Sequence, residues 1–114
     1  MSVHEYDYPY TNGASLGSPQ FDVARQAAQS LNKPVYVGET GISLKSGCMT
    51  AAQRADVLKR KFDLYLSSGS SGVLYWNVEG APNNGGTVCN SAYGNTDPIL
   101  GGAVMTMISQ YPRV

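Results

Sequence analysis

The residues best suited to chemistry stand at the ends of three short apolar segments. The first segment ends in a histidine and a tyrosine two positions apart, His4 and Tyr6. The second ends in the carboxylate Glu39 and the third in the indole Trp76. Active sites of parallel α/β folds lie at the carboxyl ends of strands. An imidazole, a phenol, a carboxylate and an indole would then meet around one hollow, since alternation points His4 and Tyr6 to the same side.

Three stretches of β-branched and aromatic residues predict the strands that position these side chains. They are Ser2 to Tyr6, Pro34 to Glu39 and Gly72 to Val78. Helical patterns separate them, so the predicted order is β-α-β-α-β-α. Strands separated by helices of this length predict a parallel sheet with right-handed connections.

Capping, proline and glycine signals bound the three helices. The predicted helices are Pro19 to Leu31 after the cap Ser18, a second helix that follows the cap Thr50 and ends at Ser67-Ser68-Gly69, and Asp97-Pro98 to a point before Pro112. In the first helix, apolar residues including Leu31 recur on one face. In the second, four charged residues are expected to form the polar face: Lys59, Arg60, Lys61 and Asp63.

Composition excludes several classes of partner. Eight Lys and Arg balance eight Asp and Glu in the 114 residues. Nucleic acid or an anionic membrane usually requires a basic face, so neither is an expected partner. No apolar run approaches the ~20 residues of a membrane span. A single His and the lack of a CxxC pair predict no metal site, and no cofactor is expected.

The two cysteines, Cys48 and Cys89, both lie in Gly/Ser/Thr/Asn-rich segments that are typical of exposed loops. Such cysteines favour an oxidising compartment and a Cys48–Cys89 disulfide, and hence a secreted, extracellular protein. Two unrelated thiols are the simpler alternative. The polar residues that follow Met1 predict no secretory signal, and whether Met1 is the true start stays open.

Three motifs together resemble a known enzyme group. His4-Glu5-Tyr6 matches a His-x-Tyr pair, residues 34–41 (PVYVGETG) match Pro-x-x-x-Gly-Glu-x-Gly, and Trp76 lies in GVLYWN. In this order they resemble strands six, seven and eight of clan A retaining glycoside hydrolases, nearest to family 5 (cellulases and mannanases). The resemblance implies that residues 1–114 are the C-terminal fragment of a TIM (β/α)₈ barrel, its last three βα units. A whole barrel takes ~250 residues.

The resemblance also implies a role for each residue. Glu39 matches the nucleophile that attacks the anomeric carbon of a β-linked oligo- or polysaccharide, and Tyr6 would hydrogen-bond it. His4 would help to position the acid, and Trp76 would stack on a sugar ring. The family's acid/base Glu follows an Asn on the fourth strand, which has no counterpart here. The chain alone is therefore expected to be inactive unless the missing N-terminal half of the barrel, or a second copy in a homo-oligomer, completes it.

Simpler interpretations stay open for each of these residues. Glu39 could be a solvated carboxylate at a strand end, His4 a structural histidine, and Trp76 part of the core. Among the other carboxylates, Glu5, Asp7 and Glu79 do not lie in an Asn-Glu pair. The chain as a whole could be a carbohydrate-binding domain without catalysis, a half-barrel that assembles with another copy, or a small three-layer domain.

Overall fold

The fold is a three-stranded parallel sheet with helices packed against it. The computed structural model describes residues 1–6, 19–41, 51–76 and 102–112. The strands are β1 (Ser2–Tyr6), β2 (Tyr36–Gly41) and β3 (Val73–Tyr75), in the order β1-β2-β3. The helices are α1 (Pro19–Ser30), α2 (Ala51–Ser67) and α3 (Ala103–Ile108). Both strand pairs are parallel, so the predicted element order and strand direction are confirmed.

The first two helices end in the same hydrogen-bonded motif. Asn32 follows α1 with φ 52°, and Gly69 follows α2 with φ 94°. At each end, two backbone N–H groups bond back to carbonyls of the last helical turn, which is the Schellman arrangement. The prediction that Leu31 packs on the apolar face of α1 is wrong. Leu31 lies in this terminal turn, beyond the last helical residue, and is 62% exposed.

The third strand and the third helix are shorter than predicted. Strand β3 spans only Val73–Tyr75, and Asn77 and Val78 lie outside the described residues. Helix α3 begins at Ala103 because Gly102 is extended, with φ −73° and ψ 160°. The predicted caps Ser18 and Thr50 and the predicted start at Asp97-Pro98 also lie outside the described residues. No helix in the described ranges combines the length and apolarity that crossing a membrane requires.

The core lies between the sheet and the helices. One cluster joins the sheet to α1 and α2 and consists of Phe21, Ala28, Val35, Val37 and Tyr65. The other lies between α2 and α3 and consists of Ala55, Leu58, Val104 and Met107. Burying these apolar side chains is the main driving force for the fold. The burial of these two clusters determines which face of the sheet the helices cover.

The opposite face of the sheet is exposed in the described part of the chain. Tyr36 alternates with the buried Val35 and Val37, and it is 42% exposed. Leu74, on the same face of β3, is 59% exposed. Large apolar side chains on a sheet usually pack against another layer. This face therefore agrees with a sheet that is part of a larger architecture.

One charged residue of the predicted polar face of α2 lies in the interior instead. Lys59, Arg60 and Asp63 are exposed, as predicted, but Lys61 is only 4% exposed, so its assignment to the polar face is wrong. Its ammonium lies 2.9 Å from the Glu5 carboxylate of β1. A buried lysine persists only when a partner compensates its charge, and Glu5 is that partner.

A surface contact holds the chain after α3 against α2. The Tyr111 hydroxyl lies 2.5 Å from the Asp63 carboxylate, and Lys59 Nζ lies 2.7 Å from the same group. The hydrogen bonds from Lys59 and Tyr111 lower the pKa of Asp63. Burial and the Asp63 hydrogen bond raise the pKa of Tyr111, so its hydroxyl remains a donor.

This contact predicts a pH-dependent contribution to stability. Because the folded-state pKa of Asp63 is below its unfolded value, the contribution is present above the unfolded pKa and is lost as the pH falls through the folded pKa. The Asp63 side chain is half exposed, so we expect only about 0.2–1 kcal/mol at neutral pH. Urea unfolding of the wild type and Asp63→Asn at neutral and strongly acidic pH measures it. A difference between the two proteins that does not shrink in acid would contradict the prediction.

Candidate functional site

Strand β1 presents its polar side chains to two different faces. Val3 and Glu5 point toward the helices, where Val3 packs on the core cluster and Glu5 is buried. Alternation therefore places His4 and Tyr6 on the exposed face of the sheet. The exposed fraction of the His4 side chain is 54%.

A β-bulge in β2 determines the direction of Glu39. Val3 pairs with Val37 and His4 pairs with Glu39, so β2 has one extra residue, Gly38, between the two pairs. Strict alternation after the buried Val37 would turn Glu39 toward the helices. The extra residue reverses this and brings Glu39 to the face of His4, as bulges do beside functional sites.

Gly38 allows the bulge to lie close to β1. A Cβ atom at this position would lie 2.4 Å from Ser2 Oγ and 3.1 Å from His4 Nε2. Both distances are shorter than ordinary van der Waals contact. A glycine within a strand often marks a bulge or a close backbone approach, and this was the signal in the sequence that could have predicted the bulge.

The Glu39 carboxylate contacts both functional side chains of β1. The Tyr6 hydroxyl donates a hydrogen bond to Glu39 Oε2, and His4 Nδ1 lies 3.5 Å from the same oxygen. The Glu39 side chain is 27% exposed, so it is held by its neighbours and still reachable from solvent. A hydrogen bond from a tyrosine hydroxyl fixes the orientation of the carboxylate that accepts it. This arrangement suits a carboxylate that acts as a nucleophile or a base.

Trp76 stands at the same end of the sheet, one strand further along. Its backbone N–H donates to the carbonyl oxygen of Thr40 at 2.8 Å, which places Trp76 just beyond the pair formed by Thr40 and Tyr75. Tyr75 packs against the cluster between α2 and α3. Alternation then directs Trp76 toward the face that carries Glu39, and it is 44% exposed. An exposed indole at this position offers an apolar surface to a ligand.

The neighbouring carboxylate of β1 is on the other side of the sheet. Glu5 is 3% exposed and paired with Lys61 on the helical side. It is therefore separated from Glu39 by the sheet itself. Asp7 and Glu79 lie outside the described residues.

Comparison with known proteins supports the architecture at the level of the fold. No family model matches the chain, and no curated protein matches it. The fold is similar to that of the endo-β-1,4-mannanase from Thermotoga petrophila, with a TM-score of 0.60 and 18% sequence identity. The match covers 96% of this chain and 24% of the mannanase chain, so the chain spans about a quarter of that structure.

At this identity the similarity shows the fold alone. The three-stranded parallel sheet is consistent with part of a TIM barrel. The exposed face that bears His4, Tyr6 and Glu39 agrees with this, because the inner face of a barrel sheet is covered only by the other strands. At this identity, which three units of a barrel the chain represents stays a prediction.

Two further predictions concern the disulfide and metal binding. Cys48 and Cys89 lie outside the described residues, so the disulfide stays a prediction. Within the residues that the structure describes, no group of three or more His, Cys, Asp or Glu side chains could hold a metal ion.

Proposed function

We propose that this chain is the nucleophile-bearing part of a retaining glycoside hydrolase that acts on β-linked polysaccharide. The observation that carries the proposal is the contact of Glu39 with Tyr6 and His4 on an open sheet face, at the carboxyl ends of parallel strands. The similarity of the fold to a mannanase supports it. A secreted location, where such polymers are found, fits the proposal.

In the proposed reaction, Glu39 attacks the anomeric carbon as a carboxylate. The bond from that carbon to the leaving oxygen breaks, the oxygen takes a proton from an acid, and a glycosyl ester forms on Glu39. Water then hydrolyses the ester. Tyr6 orients Glu39 through its hydroxyl, His4 lines the site, and Trp76 provides a surface for a sugar ring.

The acid must come from outside the described residues. A retaining enzyme needs its second carboxyl group ~5 Å from the nucleophile. Glu5 cannot supply it, because it is buried with Lys61 on the helical side of the sheet. Asp7 and Glu79 lie outside the described residues, and neither follows an Asn as the acid of the resembling family does. We therefore propose that another part of a barrel, either a preceding segment or a second copy of the chain, provides the acid and that the chain alone hydrolyses natural polysaccharide poorly.

An activated substrate tests the role of Glu39 without the missing acid. A dinitrophenyl 2-deoxy-2-fluoro-β-glycoside has a leaving group that needs no proton, and its fluorine slows hydrolysis of the ester. We expect mass spectrometry to detect one added glycosyl group, located on Glu39 by peptide mapping. Glu39→Gln should form no adduct, because an amide is a far weaker nucleophile. Asp56→Asn, which alters an exposed carboxylate on α2, is the matched control and should react like the wild type.

The alternative is a carbohydrate-binding domain without catalysis, which the exposed Trp76 favours. Binding of mannan or cellulose oligosaccharides, measured by calorimetry, separates the two. Equal binding by the wild type and Glu39→Gln, with no adduct on either, would support the binding domain and contradict the enzyme.

A further inference from the structure

A buried polar cluster lies directly behind the carboxylate site, on the helical side of the sheet. Its members are Glu5, Thr40, Lys61 and Tyr65, all less than 5% exposed. Lys61 Nζ lies 2.9 Å from Glu5 Oε2 and 3.0 Å from the carbonyl oxygen of Gly41. The Tyr65 hydroxyl donates to the same Glu5 oxygen. Helix α2 therefore binds the ends of both β1 and β2 through polar contacts.

The cluster alternates with the residues of the site along both strands. Glu5 pairs with Thr40, whereas the adjacent pair along the strands is His4 with Glu39. The Thr40 hydroxyl lies 3.5 Å from Glu5 Oε2, so the cluster also links the two strands to each other. Any shift of β2 along β1 would break these contacts and the contact between Tyr6 and Glu39 together.

The bulge limits how far apolar packing alone can fix the position of β2. A shift of one residue in strand pairing turns every following side chain to the other face. With one extra residue at Gly38, the apolar contacts of Val35 and Val37 fix only the part of β2 before the bulge. After the bulge, the buried groups that hold β2 from the helical side include Thr40 and the Gly41 carbonyl.

Glu5, Thr40 and Lys61 are buried beside an otherwise apolar core. Buried ion pairs are poor sources of stability, and one attested use of buried polar groups is to select a single register. Burial and the Glu5 hydrogen bond raise the pKa of Tyr65, so its hydroxyl stays protonated and keeps donating to Glu5. The contacts are directional, unlike apolar packing.

We propose that Glu5, Lys61 and Tyr65 are positioning residues that fix the register of the bulged strand β2 against β1 and thereby hold Glu39 against Tyr6 and His4. The catalytic meaning of this arrangement rests on the proposed function. The positioning itself can be measured without any substrate.

The test follows the hydrogen bond between Tyr6 and Glu39 by NMR. Tyrosine labelled with ¹³C at Cζ reports the state of its hydroxyl, and Tyr6→Phe assigns the Tyr6 resonance. Glu39→Ala gives the position of the Tyr6 resonance when its hydrogen bond to Glu39 is absent. The double variant Glu5→Gln/Lys61→Met removes both charges and nearly keeps the side-chain lengths. In it we expect the Tyr6 resonance to move at least halfway to that position.

Two further variants keep the test decisive. Tyr65→Phe keeps the ring that packs edge-on against Phe21 and removes only the donor to Glu5, so it should fold and shift Tyr6 by a smaller amount in the same direction. Val104→Ala truncates a fully buried side chain of the cluster between α2 and α3 and should leave the Tyr6 resonance unchanged. It controls for loss of stability alone.

The outcomes separate this inference from the proposed function. A wild-type Tyr6 resonance in Tyr65→Phe, or in a folded double variant, would overturn the positioning role. So would an equal shift in Val104→Ala. If Tyr6 shifts as expected but no glycosyl adduct forms on the wild type, the positioning role stands and the hydrolase proposal fails.

Discussion

Replacing Lys61 with methionine is expected to lower the free energy of unfolding by about 3–5 kcal/mol. The substitution leaves the Glu5 carboxylate buried without its cation, and it removes a donor to the Gly41 carbonyl. Methionine has nearly the length of lysine, so lost packing contributes little. Domains are stable by only ~5–15 kcal/mol, and the urea unfolding midpoint should therefore fall steeply.

Two other variants show whether the uncompensated charge is the cause. Lys59→Met removes an exposed lysine two positions away on the same helix and should cost about 1 kcal/mol or less. Adding Glu5→Gln to Lys61→Met neutralises the remaining charge and should recover most of the loss, because buried pairs replaced together are often nearly neutral. A double variant as unstable as Lys61→Met alone would contradict this explanation.

The order and direction of the strands could be predicted from local patterns. Short β-branched segments between helical repeats imply parallel strands with helical connections, and the structure has this order. Asn32 and Gly69 end their helices by a local preference for left-handed backbone, so these ends were predictable as well. The shared direction of His4 and Tyr6 was also predictable, because residues two apart in one strand point to the same face.

The bulge that directs Glu39 to the exposed face, and the buried contact of Lys61 with Glu5, depend on residues far apart in sequence. A bulge is a property of a pair of strands. Gly38 signals that β2 could form one, but the pairing register that β1 imposes on β2 cannot be read from the stretch PVYVGE alone. Lys61 lies in a run of charged residues that is typical of a solvated helix face. Only the approach of Glu5 from β1 makes its burial possible, so the sequence pattern of α2 could not reveal it.

Gly38→Ala is expected to inactivate the site by displacing His4. The new Cβ would lie 2.4 Å from Ser2 Oγ and 3.1 Å from His4 Nε2, so both side chains must move. We expect a loss of about 1–3 kcal/mol in unfolding free energy from the crowding. The rate of adduct formation on Glu39 should fall by about 10²-fold, since a shift on the order of 1 Å in a catalytic group has effects of this size.

Two control variants separate the effect of steric crowding on stability from the effect of displacing His4 on the rate of adduct formation. Gly72→Ala places a methyl group more than 4 Å from any heavy atom of the described residues other than its chain neighbours and should change neither quantity. Gly38→Ala/Ser2→Ala removes the hydroxyl that clashes most and should restore stability, while His4 remains displaced and adduct formation remains slow. Full recovery of the rate in that double variant would mean that His4 does not need its present position. The bulge would then serve only to direct Glu39 to the open face of the sheet.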